Sequence, residues 1–378
     1  MPLTKIPAVF MRGGTSKGLF FHERDLPSAG AQRDALFCAA MGTPDPFGRQ
    51  LDGMGGALSS LSKIAIVAPS SREDCDVDYT FGQVAVFEPV VEYGANCGNL
   101  SSAVGPFAVE EGLVPVQGDE ARVRIYNTNT DKIIHARFAL ESGLPALAGD
   151  FVMPGIATAG APVALDFIEP AGAATGHLLP TGNRIEALTL DDGRALPVSL
   201  VDAAMPMVFV PASALGLQGT EMPAAIEADR GLMATLASLR AAAARIMGIA
   251  EPGEPVPQAI PKIALVSAPS DYTSHSGEAL SAEDMTVVVR VLSMGNAHQA
   301  VPLTTALCVA VASRIPGTVV AECAEQREGD IAIAHPGGIL RVDADVQVDG
   351  DAVVVRRATV YRTARRLFEG RVCYTLPR

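Results

Sequence analysis

Two halves of this chain follow the same plan, and that limits the fold more than any single motif. Residues 9–26 lie ungapped against residues 198–215, an offset of 189, which is half of the 378 residues. Residues 62–70 match 261–269 around Lys63 and Lys262 at an offset of 199, and Ser101–Ala103 matches Thr304–Ala306 at 203. A repeat whose offset drifts is one structural unit used twice, with loops of different length inserted. Each copy runs through a β-branched stretch, Val77 to Val91 or Met285 to Met294, into an apolar helix. The first helix is expected over Asn99 to Gly112, bent at Pro106, and the second over Thr304 to Arg314.

Elsewhere short Val- and Ile-rich runs, such as Ala121 to Ile125, Val353 to Arg356 and Ala358 to Tyr361, alternate with turn signals, and 36 Gly and 27 Pro exclude a mainly helical architecture. Ala224 to Ile249, rich in alanine, is the exception and is expected to be a helical insertion in the second half. The class is therefore α+β, each half being many short strands around one apolar helix. The domain boundaries are expected at 1–185 and 186–365, with a C-terminal strand near 366–378 returning to the first domain.

At 48% hydrophobic and 19% charged residues the chain supports two ordinary cores. Its six cysteines form no CxxC pair and share no ligand spacing with histidine, so no metal site and no disulfide framework is expected, and a reduced, cytoplasmic setting is. No run approaches the roughly 18 apolar residues of a membrane helix. A net charge of −13 and the lack of tryptophan argue against nucleic acid as a partner. The expected partner is a small molecule, and homo-oligomerisation is compatible with this reading.

Cys97 stands at the start of the first apolar helix, between Asn96 and Gly98-Asn99, where unpaired backbone N–H groups favour an anion, either a thiolate or a substrate carboxylate. Buried, inert packing is the competing reading for any free cysteine. Lys63 enters an apolar strand after a Gly- and Ser-rich loop that carries Ser59 and Ser60. Partial burial of its ammonium suits a general base, although Lys262 at the equivalent place fits a plain strand-edge role as well. Residues 12–18 interrupt a strand with two glycines and offer Thr15, Ser16 and Lys17 to an oxyanion, or simply make a turn. In the second half His298 and Thr304 flank the start of the equivalent helix. If the halves face each other, both helix starts meet at one cleft suited to a dianion. A lysine and a cysteine without a cofactor motif suggest proton transfer beside a carboxylate, with no cofactor required.

Taken together, Met11–Gly18, Asp52–Gly56, Ser59–Lys63, Asn96–Asn99, Leu179–Asn183, Arg314–Thr318 and His335–Gly338 resemble the PrpF family of 2-methylaconitate cis-trans isomerases, with its 3-methylitaconate and 4-oxalomesaconate Δ-isomerase relatives. The resemblance covers essentially the whole chain. It implies a diaminopimelate-epimerase-like fold of two pseudo-symmetric domains, each a mixed, curled sheet around a central helix. It also implies that Lys63 and Cys97 are the acid/base pair of an isomerase of small unsaturated di- or tricarboxylates. Epimerases of that fold use one cysteine per half, and Ala297 to Leu303 contains none, so the resemblance speaks against an amino-acid racemase. The stretch Met294–Thr305 departs from the family's pattern, which leaves the identity of the acid open.

Overall fold

A computed structural model describes residues 3–94, 96–190, 193–251 and 253–376. The chain divides into two units, residues 1–166 with 361–378 and residues 167–360.

Unit 1 begins with β1 (Thr4–Gly13) and β2 (Ser16–His22), an antiparallel hairpin closed by Gly14 and Thr15. Only Gly14 of these two has a positive φ, +53°, as expected of a two-residue turn with glycine in its first central position. α1 (Ala31–Met41) leads to β3 (Lys63–Pro69), which lies parallel to β2, and β4 (Val77–Val84) returns antiparallel to β3. After β5 (Val91–Glu92) come α2 (Gly98–Ser101) and α3 (Val104–Glu110). Then follow β6 (Glu120–Asn127), parallel to β4, β7 (Lys132–Glu141), β8 (Leu144–Pro145) and β9 (Val163–Ile168).

The parallel pair explains why β2 and β3 read as unbroken apolar runs, because both of their faces are covered. Leu19, Phe21, Ile64 and Ile66 pack with Leu36 and Phe37 of α1, whereas Phe20 on the other face meets Phe107 of α3 at 5.4 Å between ring centres. The single expected helix over Asn99 to Gly112 is two. The break falls at Ser102–Ala103, one turn before Pro106, because the proline ring collides with the carbonyl four residues back and its nitrogen has no proton to donate there.

Unit 2 contains β10 (Glu186–Thr189), β11 (Ala195–Asp202) and β12 (Pro206–Pro211), followed by α4 (Pro223–Ala228) and α5 (Arg230–Ile246). It continues with β13 (Lys262–Ser267), β14 (Tyr272–Thr273), β15 (Ala279–Leu280), β16 (Val287–Ser293) and β17 (Asn296–Ala297). α6 (Leu303–Ser313) and α7 (Val319–Cys323) precede β18 (Ile331–His335), β19 (Gly338–Asp349) and β20 (Ala352–Arg362). The chain ends in β21 (Ala364–Tyr374), which belongs to unit 1 and pairs antiparallel along β1.

The two units share one strand program. In unit 1 the sequence β1, β2, β3, β4, β6, β7 pairs antiparallel, parallel, antiparallel, parallel, antiparallel. In unit 2 the sequence β11, β12, β13, β16, β18, β19 repeats those senses. The register also repeats: Gly18 faces Lys63, and Met207, 189 residues after Gly18, faces Lys262. The helical stretch expected as an insertion stands where α1 stands in unit 1, between the second and third strands, so it is an enlarged counterpart. Asp229 caps α5 by accepting from the Leu232 N–H, and Leu232, Leu236, Leu239 and Ala243 form the stripe that joins the unit 2 core. α6 is apolar on all sides because nine of its eleven residues are buried. Among the described residues no helix is long and apolar enough to cross a membrane.

Candidate functional site

The β2–β3 register decides which side chains of unit 1 can meet. Because Gly18 is the partner of Lys63 and strand side chains alternate, Ser16, Gly18 and Lys63 share one face, and Lys17 points to the other, where its ammonium lies 5.7 Å from the Phe10 ring centre. Lys17 is therefore not brought to the Cys97 cluster. Gly18 is required by close approach, since a Cβ there would stand 2.5 Å from the Lys63 carbonyl oxygen.

Lys63 is 7% exposed. Its Nζ donates to Gln83 Oε1 at 2.7 Å and lies 4.9 Å from the Phe81 ring centre, so the ammonium has an amide and an aromatic face but no carboxylate partner among the described residues. Gln83 is fixed in turn by donating from Nε2 to the Ser62 carbonyl at 3.0 Å.

Cys97 is the residue before α2, and its sulfur accepts from the Leu100 N–H at 3.4 Å, acting as the cap of the helix. The same Sγ is 3.8 Å from Ser16 Oγ. Its neighbours are locked: Asn96 Oδ1 accepts from Ser101 Oγ at 3.2 Å and from Asn127 Nδ2 at 3.3 Å. Gly98 opens α2, and Asn99 donates from Nδ2 to Thr15 Oγ1 at 3.0 Å and accepts from Arg362 Nε at 2.9 Å. The hairpin turn and Cys97 with its flanking residues thus form one cluster of Thr15, Ser16, Asn96, Cys97, Gly98 and Asn99. Lys63 shares the strand face of Ser16 and Gly18, with Gln83 and Phe81 as its side-chain neighbours.

Ser59 and Ser60 sit in a short helical turn ahead of β3, and neither hydroxyl bonds to the cluster among the described residues. That loop is held by Gln50 instead, whose Oε1 accepts from Ser62 Oγ at 2.5 Å and from the Ala57 N–H at 2.8 Å. Arg12 is also structural, since it donates to the carbonyls of Gly14 and Thr363 and so staples the turn to the junction between β20 and β21.

Three residues that hold these side chains in place were not anticipated as part of the site. Asn127 begins Asn127–Thr130 and is 0% exposed, and a buried asparagine signals a structural hydrogen-bond hub. Gln83 announces itself only through its register with Lys63. Arg362 lies 263 residues from Asn99 in the chain, and nothing local marks it. Burial brings its guanidinium down to about 10, while the nearby Cys97 sulfur, if anionic, pulls the other way, so the side chain remains a cation at neutral pH. Tyr79, fully buried on the same face of β4, is pushed well up by burial first and then by Cys97. Its hydroxyl lies near Ser101 without a hydrogen bond of ordinary geometry.

His298 and Thr304 belong to unit 2. The His298 Nε2 is sealed from solvent without a partner among the described residues, and burial together with Lys262 holds the imidazole below its usual value. Thr304 Oγ1 donates to Met205 Sδ at 3.6 Å. Ala300 stands where the 203-residue offset would place a second thiol, and Cys308 is core, its thiol pushed up by complete burial.

A cavity of about 710 Å³ in unit 1 lies elsewhere, between the loop Thr43–Asp52 and Cys373 and Tyr374. Its Asp45 is already satisfied by the N–H groups of Phe47, Arg49 and Gln50. Among the described residues no three His, Cys, Asp or Glu side chains converge as metal ligands would.

Comparison with known proteins bears on the family of the chain. The family model described as PrpF protein matches residues 3–375. The chain is similar to the 3-methylitaconate isomerase of Eubacterium barkeri, with 41% identity over 97% of both chains. It is equally similar to the 2-methyl-aconitate isomerase of Cupriavidus necator, with 41% identity over 98% of this chain and 97% of the relative. The crystal structure of a methylitaconate-delta-isomerase superposes with a TM-score of 0.92 at 39% identity, covering 99% of this chain and 96% of that one.

Proposed function

The chain belongs to the PrpF family, and on that premise we propose that it is an isomerase which moves a proton at the allylic carbon of a small unsaturated di- or tricarboxylate, with 2-methylaconitate as the first candidate. The observation that carries the reading is the meeting of Cys97, capped by the Leu100 N–H and 3.8 Å from Ser16 Oγ, with the strand face that bears Lys63.

A carbon acid next to a conjugated carboxylate loses its proton only if a base touches it and the resulting charge is stabilised. One member of the Lys63/Cys97 pair removes the allylic proton, and the electron pair moves through the double bond into the carboxylate as a dienolate. The other member returns a proton. Return at the far end shifts the double bond, whereas return at the original carbon after rotation exchanges cis for trans. No electrons are gained or lost overall. Asn96 and Asn99, held by Asn127, Thr15 and Arg362, keep the Cys97 segment from drifting, which matters because misplacement of about 1 Å costs about 100-fold in rate.

A Δ-isomerase acting on 3-methylitaconate or 4-oxalomesaconate is the alternative, favoured by relatives of those names at 41% and 39% identity. Proton NMR in deuterated water with cis- and trans-aconitate, 2-methylaconitate, methylitaconate and 4-oxalomesaconate tests the reading. Conversion of one acid with uptake of deuterium at its allylic carbon is expected. Binding without exchange by any of them would make this a carboxylate-binding protein rather than an enzyme.

A further inference from the structure

Arg362 is a buried cation, 7% exposed, to which the described residues bring no carboxylate. The other deeply buried arginines of the chain have their charge or their donors accounted for. Arg33 meets Glu23. Arg290 lacks a carboxylate but donates Nε, Nη1 and Nη2 to the carbonyls of Glu221, Val289 and Thr220 and stacks on Tyr272, which is a finished structural role. Arg362 is not finished. Its Nε donates to Asn99 and its Nη1 to the Tyr361 carbonyl, while Nη2 has no partner among the described residues and is not one of their sealed polar atoms.

An arginine fork with one side spent on the protein and one free donor, close enough to Cys97 to feel its charge, is half of a carboxylate-binding pair. We propose that Arg362 anchors a carboxylate of the substrate beside Cys97 and orients it through Asn99, so that specificity for polycarboxylates is set partly by a residue at the far end of the chain. This deepens the isomerase reading and rests on it. Burial brings the guanidinium down only to about 10, so the charge is in place before a ligand supplies the missing anion. Asn99 keeps the guanidinium plane in one orientation by accepting from Nε.

Tricarballylate, a saturated tricarboxylate that cannot isomerise, is the probe, titrated by calorimetry into the wild-type protein, Arg362→Gln and Arg362→Lys. Arg362→Gln is expected to weaken binding about 10- to 100-fold, with Arg362→Lys recovering most of the loss. With the acid that the protein converts, the defect should appear mainly in KM. Labelling of the wild-type protein with phenylglyoxal gives a second reading that needs no variant to fold: tricarballylate should protect Arg362 from modification. Binding by a folded Arg362→Gln within about threefold of wild type, no binding to the wild-type protein at millimolar tricarballylate, or unprotected modification of Arg362 would each overturn the proposal. The two readings fail separately. Loss of binding in Arg362→Gln without conversion of any acid sinks the isomerase, and conversion with unaltered binding sinks the anchor.

Discussion

Gly14→Ala is a small change that should propagate from a turn to the reacting groups. Gly14 has φ +53°, where an alanine costs about 1 kcal/mol relative to glycine. Its Cβ would stand 2.4 Å from Asn99 Oδ1 and 2.8 Å from Asn99 Cγ. To reach ordinary contact near 3.4 Å, Asn99 must retreat by 3.4 − 2.4 = 1.0 Å. That movement breaks its hydrogen bonds with Thr15, at 3.0 Å, and with Arg362, at 2.9 Å. The first contributes about 1 kcal/mol and the second, made by a charged donor, about 2 kcal/mol. Full loss would destabilise the protein by about 4 kcal/mol, and partial relaxation leaves about 2 kcal/mol. Since Asn99 lies two residues from Cys97, kcat/KM should fall about 100-fold. Urea unfolding and NMR turnover measure the two effects. A double-mutant cycle isolates the cause: in an Asn99→Ala background the colliding oxygen is gone, so Gly14→Ala should add only about 1 kcal/mol. Wild-type turnover in Gly14→Ala with stability within about 0.5 kcal/mol, or equal costs in both backgrounds, would refute the reasoning.

Cys97→Ser and Lys63→Ala should each lower turnover by several orders of magnitude while tricarballylate still binds, and full activity in both would remove the proposed acid/base pair. Tyr79→Phe deletes a fully buried hydroxyl that lacks a regular partner, so the urea midpoint should rise by the equivalent of about 1 kcal/mol, and a fall of that size would mean that Ser101 satisfies it after all. Gly18→Ala drives a methyl to 2.5 Å from the Lys63 backbone oxygen, and a loss of both stability and turnover is expected, with an unaffected variant arguing against the tight β2–β3 contact. His335, 4% exposed, is held at about 4 by burial, then by Arg290 and His275. The unfolded chain takes up this proton near pH 6.5 and the folded one only near pH 4, so this site's stability is complete above 6.5 and is lost as the pH falls toward 4, by about 3 kcal/mol. His335→Gln should flatten the acid side of the pH–stability curve, and an unchanged slope would show that His335 does not drive it.

The repeat, the α+β class and the family were legible in the sequence because they rest on periodicity and on short motifs whose residues are neighbours in the chain. Matching offsets located β1 with β11, β2 with β12 and β3 with β13, since each copy must place the same apolar faces on the same strands. Lys63 and Cys97 stood out for the same reason, a reactive group beside glycines and asparagines at the edge of an apolar element. Other features needed the third dimension. Whether Ser16 or Lys17 accompanies Cys97 is a matter of strand parity, which one residue of register reverses. The helix break before Pro106 follows from a clash one turn away. Gln83 reaches Lys63 only through the β3–β4 pairing. Arg362 arrives because β20 and β21 carry the chain back to unit 1, where the energy of a buried charge depends on what surrounds it and not on its neighbours in sequence. The repeated framework and the two candidate acid/base side chains follow from local sequence pattern. Which polar groups surround them depends on the folded chain, because those contacts join residues as far as 263 positions apart.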